Sequence, residues 1–183
     1  MRQLPLLAIL MCFCLLTGCG EPQADLLTPL THKSGELVFD YPKNWAIAED
    51  SLTPELHNLF IETPGDALVI LQSFPSGGTP TLTTFSHEFS NSVVIETFIG
   101  EFSTSTFSNI IDKDGCNIIE EDFNINLLGE SIPHKRIYGT KEVGNRKIFL
   151  ILQVAAEDYS KVEAGFQLIR DSLTNIPSLN ALD

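Results

Sequence analysis

The order of segments in this 183-residue chain predicts an α+β fold: a largely antiparallel sheet with helices on both faces. Three observations carry that expectation. Strand-like segments come in two groups, and each group is followed by one helix-like segment. Two strands, residues 67–71 and 148–152, are apolar on both faces and so must be covered from both sides. Short turns, at Pro64-Gly65 and at Val143-Gly144-Asn145, join neighbouring strands into hairpins.

In order, Leu37, Phe39 and Tyr41 share one face of a strand, and Pro42 stops its ladder before Lys43-Asn44 turns the chain into Trp45. Residues 56–63 and 66–74 make the first hairpin. After a loop at 75–80, Leu82, Phe85, Phe89 and Val93 recur at helical spacing, with Thr81 or Thr83 as N-cap. Residues 94–111 fit either a longer helix or a short strand, and 112–115 form a turn. Residues 117–127 alternate, with Ile119, Phe123, Ile125 and Leu127 on one face and Glu120, Asp122, Asn124 and Asn126 on the other. Residues 132–141 and 146–156 form the second hairpin, and its last strand should be the centre of the sheet. A final helix carries Tyr159, Val162, Phe166, Ile169 and Leu173 as one stripe. Ser160 and Glu163 fit a capping box, Gly165 allows close approach, and Asn175 with Pro177 ends the helix.

The N-terminus reads as an address. Arg2 precedes an apolar run at residues 4–16, which suits a secretory signal and falls short of the roughly 20 residues of a spanning helix. Leu16-Thr17-Gly18-Cys19 resembles the bacterial lipoprotein signal. That resemblance implies cleavage between Gly18 and Cys19 and acylation of Cys19, giving a protein anchored in the membrane lipid without spanning it. The expected division is a signal at 1–18, a lipidated cysteine and flexible tether at 19–34, and one domain at 35–183. Gly20 in place of Asp favours the periplasmic leaflet of an outer membrane in a Gram-negative cell. With a single membrane, the site is the outer face of the cytoplasmic membrane.

The formal charge of −13 repels nucleic acid, and loss of Arg2 with the signal makes it more negative. Cys12 and Cys14 leave with the signal and Cys19 is lipidated, so Cys116 has no partner for an intramolecular disulfide. It reads as a buried small hydrophobe.

Gly35, Phe39, Tyr41, Pro42 and Trp45 form a Gly-x-x-x-Phe-x-Tyr-Pro-x-x-Trp opening, and Phe166, Ile169, Ser172 and Leu173 a matching close. Over residues 35–175 the chain resembles PsbP/Mog1-like domains and their small bacterial lipoprotein relatives. The resemblance implies an α/β/α sandwich and brings no functional residue with it.

The chemistry-bearing residues name no reaction. His87-Glu88 is half of a zinc-protease motif with Asn91 where the second His belongs, and His32, His57 and His134 are scattered. Asp112, Asp114, Gly115 and Glu121 match part of a calcium loop whose first position is Ile110, which carries no side-chain oxygen. Glu120 and Asp122 share a strand face opposite Lys135 or Arg136, while Glu121 points away. No catalytic residue, metal or cofactor is expected. Tyr41, Trp45, Glu120 and Asp122 are the candidates for a ligand or partner surface. The expected role is a non-catalytic lipoprotein that binds a protein or assists assembly of a complex. The alternatives are a periplasmic small-ligand or cation carrier using a cleft between helix and sheet, and, behind it, a hydrolase.

Overall fold

A computed structural model of the chain describes residues 22–96, 101–102, 105–113 and 115–175. The signal, Gly18, Cys19 and Pro177 lie outside the described residues. The strands are β1 (Leu30–Ser34), β2 (Leu37–Tyr41), β3 (Ala46–Leu52), β4 (His57–Glu62), β5 (Leu68–Pro75), β6 (Glu101–Phe102), β7 (Thr106–Phe107), β8 (Ile111–Lys113), β9 (Cys116–Leu127), β10 (Glu130–Val143), β11 (Arg146–Ala155) and β12 (Thr174–Asn175). The helices are α1 (Leu82–Glu96) and α2 (Tyr159–Ser172).

The main sheet runs β3-β4-β5-β11-β10-β9-β6, with β7 and β8 also paired to β9, and a smaller sheet runs β1-β2-β12. All these pairings are antiparallel. As expected, β11 sits mid-sheet. Its side chains alternate between two clusters because successive residues of a strand point to opposite faces. Ile148, Leu150 and Leu152 join Val162, Phe166 and Ile169 of α2. Phe149 and Ile151 join Leu82 and Phe85 of α1.

Thr81 caps α1, its hydroxyl accepting the Thr84 N–H at 3.1 Å. The segment 94–111 divides: α1 runs on to Glu96, and the described remainder supplies three short strands along β9. The capping box does not form. A short 3-10 turn, Ala156–Asp158, leads straight into α2, which places Ser160 inside the helix. Asp158 at its start instead meets Lys161 Nζ at 2.6 Å.

The tether is shorter than its composition suggests. Residues 31–34 are polar and give no apolar alternation, yet the backbone of 30–34 pairs with β2, and Gly35 turns between the strands at φ 54°. Further upstream, the Ala24 N–H donates to the Lys161 carbonyl, and Asn44 bonds both the Asp25 N–H and the Gln23 carbonyl. The folded unit therefore begins well before Gly35.

The residues of the family-like opening and close meet each other. Phe39 is buried, and the Ser172 hydroxyl accepts the Asp40 N–H at 2.8 Å while donating to the Leu168 carbonyl. A methyl group at Gly165 would stand 2.5 Å from Trp45 Cζ2 and 2.7 Å from Pro42 Cγ. Gly165 thus lets α2 close on the Pro42–Trp45 corner.

Candidate functional site

Of the four candidate surface residues, Trp45 is removed from the surface. Its ring lies in the core, 4% exposed, because α2 closes over it at Gly165. Tyr41 is half-buried against the same cluster. Glu120 and Asp122 do share a face of β9, and Lys135 on β10 reaches Glu120 at 2.8 Å and Asp122 at 3.5 Å. Burial of Lys135 pulls its ammonium pKa down, but the bond to Glu120 and the nearby charges of Glu120 and Asp122 outweigh it and raise the net value. Among the described residues no hydrogen bond, ion pair or ring contact joins Tyr41 or Trp45 to this triplet. The candidates do not make one site.

Arg136 faces the other way. It is opposite Glu121 in the β9–β10 register and opposite Gln153 in the β10–β11 register, so one rung across three strands carries all three residues. Glu121 is 0% and Arg136 1% exposed. Arg136 Nη1 donates to Glu121 Oε2 at 2.7 Å, and Nε and Nη2 donate to Gln153 Oε1. The hydroxyls of Ser90 and Ser105 donate to Glu121 Oε1, and the Tyr138 hydroxyl donates to Oε2 at 2.7 Å. The guanidinium lies over the rings of Phe123 and Phe89, with ring centres 4.5 and 5.6 Å from Cζ. Burial, together with Glu121, pushes the Tyr138 hydroxyl well above the ordinary phenol range, which keeps it a donor. Every lone pair direction of the carboxylate is occupied and no water path is needed. The chemistry available here is cohesion.

Two of the histidines scattered in sequence, His32 and His57, are brought together by Asp50 on β3. His57 Nε2 lies 2.7 Å from Asp50 Oδ1, and His32 Nε2 3.0 Å from Oδ2. β1 of the small sheet is thereby tied to β3 and β4 of the large one. Burial raises the Asp50 carboxyl, but bonds from Ser34, His57 and His32 outweigh it and hold the carboxyl below its ordinary range. His57 also lines a cleft of about 370 Å³ with Glu36 and Arg146. His87 instead rests on Phe107, ring centres 4.2 Å apart. Asp112 Oδ1 takes the Gly115 N–H across the β8–β9 turn, and Glu121 is committed inside the core, so the partial calcium loop has lost its last ligand. Among the described residues no three His, Cys, Asp or Glu side chains converge as metal ligands. Cys116 is buried, which raises its thiol pKa.

One exposed feature stands out. Leu127 pairs with Glu130, leaving Leu128 and Gly129 as a two-residue hairpin loop, with φ 53° and 88°. Two positive φ angles match a type I′ turn, which favours Asn-Gly. Leu128 is 98% exposed. It is also the one residue besides glycine at positive φ among those described.

No protein-family model matches the chain, and no curated protein matches it by sequence. Solved structures do. The cyanobacterial PsbP protein, CyanoP, from Synechocystis sp. PCC 6803 is 16% identical over 88% of this chain and 99% of its own, with a TM-score of 0.52. LpqN, involved in cell envelope biogenesis of Mycobacterium tuberculosis, is 13% identical over 82% of this chain and 90% of its own, with a TM-score of 0.43. The likeness to CyanoP is one of fold: the chain has a PsbP-like fold. Among the described residues no helix is long and apolar enough to cross a membrane.

Proposed function

We propose that the chain is an exported lipoprotein, cleaved after Gly18 and acylated at Cys19, whose domain is a non-catalytic accessory module that docks on a protein at the membrane surface. The membrane is the outer one, periplasmic side, in a Gram-negative cell, and otherwise the cytoplasmic one, outer face. The domain is read as an α/β/α sandwich, a reading supported by the alternation of β11 between a cluster holding α2 and a cluster holding α1.

The observation that carries the docking role is Leu128. A bulky side chain held at positive φ costs roughly 1–3 kcal/mol, and full exposure forgoes the gain from burying it. A partner that takes up the side chain recovers the second loss. The position suits that use. β11 ends at Ala155 opposite His134, so the β9–β10 hairpin runs on past it by four residues, roughly 13 Å. Ala24 is bonded at the start of α2, just past the same end of β11. Cys19 precedes it by five residues, which reach at most about 18 Å. The tip and the bonded residue Ala24 therefore share one end of the molecule. The negative charge of the chain favours a protein pocket over an anionic lipid surface. Saturation of the Glu121–Arg136 network favours binding over turnover.

The test is crosslinking in native membranes, comparing the wild type with Leu128→Asn, which keeps the turn. The expected result is a partner recovered reproducibly with the wild type and lost with the variant. Equal recovery by both, recovery of none, or Leu128-dependent binding to protein-free vesicles would overturn the reading.

A further inference from the structure

Arg170 on α2 is 4% exposed, yet only part of its guanidinium is engaged. Nε donates to Asp171 Oδ1 at 2.7 Å, and among the described residues neither Nη has a hydrogen-bond or ion-pair partner. The Nη groups are not sealed from solvent, so their free donors are accessible to a ligand. The side chain lines a cleft of about 330 Å³ between α2 and the sheet. Ile111, Ile118, Ile137 and Phe166 supply apolar walls, and Glu120, Tyr159 and Gln167 the polar lining beside Arg170.

We infer that this cleft is a binding site for a small organic monocarboxylate with an apolar body. The Nη groups present the paired donors that a carboxylate accepts in bidentate fashion. The isoleucines and Phe166 cover the hydrocarbon. The volume lies at the low end of ligand pockets, which excludes a diacyl lipid. The charges set the valence. Lys135 already holds Glu120 and Asp122, and Glu163 accepts a bond from Gln167 Nε2 at 3.2 Å. One free cationic fork surrounded by carboxylates suits a single negative charge, so a dicarboxylate or a phosphate dianion is disfavoured. Burial first, then Glu163 and Glu120, hold the Tyr159 hydroxyl above its ordinary range, so it stays neutral beside the ligand.

The site is independent of the docking tip, and its test uses the full chain in nanodiscs, with empty nanodiscs as the blank for partitioning. Saturation-transfer NMR would be read for straight-chain carboxylates of increasing length, the alcohol of matching length and a matching alkyl phosphate. The carboxylates should bind, tightening roughly fourfold per added methylene until the cleft is full. The alcohol and phosphate should bind at least tenfold more weakly. Arg170→Met, which keeps the bulk and removes the charge, should abolish the preference for the acid over the alcohol. Ile111→Glu at the half-exposed rim should weaken the acid at least tenfold without lowering the unfolding temperature, which covers the case where Arg170→Met fails to fold. Absence of carboxylate binding to the wild type, equal binding of acid and alcohol, or unaltered binding by Ile111→Glu would each overturn the inference.

Discussion

Glu121 and Arg136 face each other across β9 and β10 with 2.7 Å between Oε2 and Nη1, both sealed beneath α1. Taking two charges out of water costs several kcal/mol per ion, and here the cost is offset by a complete set of partners. Removing one partner leaves the other charge buried and alone. Arg136→Met should therefore destabilise the fold by about 3–5 kcal/mol. Glu121→Gln should cost nearly as much despite its matching shape. Four donors converge on that carboxylate, and an amide NH2 would point a fifth donor at them. Urea unfolding of both single variants and the double variant checks this. A non-additive cycle is expected, and a cost below about 1 kcal/mol for either single variant would contradict a cohesive role.

The two hairpins and the central strand were legible where burial and pattern agree. Doubly apolar β5 and β11, the turns at 64–65 and 143–145 and the stripe of α2 all correspond to what the chain forms. What stayed illegible is polar residues whose place depends on a distant strand. Glu121 has the same alternation phase as Ile119 and Phe123, so the pattern did place it on the apolar face. Only the β9–β10 register, however, brings Arg136 opposite to make that burial tolerable. His32, Asp50 and His57 meet through two sheets, and no spacing in the sequence encodes such a meeting. β1 is invisible for a different reason: its ladder bonds are backbone bonds to β2, and its mostly polar side chains carry no apolar alternation. The capping box failed because a 3-10 turn extends the helical path upstream, leaving Ser160 no free N-terminus to cap.

Leu128 separates stability from use. Asn tolerates positive φ better than Leu and is the favoured residue before Gly in a type I′ turn. Leu128→Asn should raise the stability of the isolated protein by about 0.5–1 kcal/mol, read by thermal unfolding. A stabilised variant that has lost its membrane partner would show a residue retained at the expense of the fold. A destabilised one would mean that the turn needs leucine for its own sake.

Gly165 sets two effects of opposite sign against each other. Within a helix, Ala is favoured over Gly by about 1 kcal/mol. Here the added methyl would meet the edge of the Trp45 ring at 2.5–2.6 Å, and neither the ring nor Pro42 beside it is a flexible chain end. Overpacking of this kind costs about 1–3 kcal/mol, so Gly165→Ala should lower the unfolding temperature. Trp45→Phe removes the offending ring atoms and leaves no new unsatisfied polar group, because the Trp45 Nε1 is itself without a partner among the described residues. Gly165→Ala should consequently cost less in a Trp45→Phe background, where only the 2.7 Å approach to Pro42 Cγ remains. Equal effects in both backgrounds would show that the contact is not the cause.

Asp50 gives the fold an acid limit whose sign follows from its partners. Its carboxyl titrates below the ordinary 3.8 in the folded chain, because the bonds from Ser34, His57 and His32 outweigh the effect of burial. Between that lowered value and the ordinary one, the unfolded chain binds more protons than the folded chain, so stability rises with pH across the window. The contribution is complete above about 3.9 and is lost as the pH falls through the lower, folded value. Asp50→Asn keeps one acceptor, loses the charge and places an NH2 where the second imidazole needs an oxygen. At neutral pH it should cost about 1.5–3 kcal/mol, in line with hydrogen bonds to a charged group. The gap between wild type and variant should then narrow as the pH is lowered from about 5 to 3, a range in which the imidazoles of the unfolded chain stay protonated. Urea titrations at steps across that range measure the gap. One that stays constant would mean the three side chains hold the two sheets together without drawing on the carboxylate's charge.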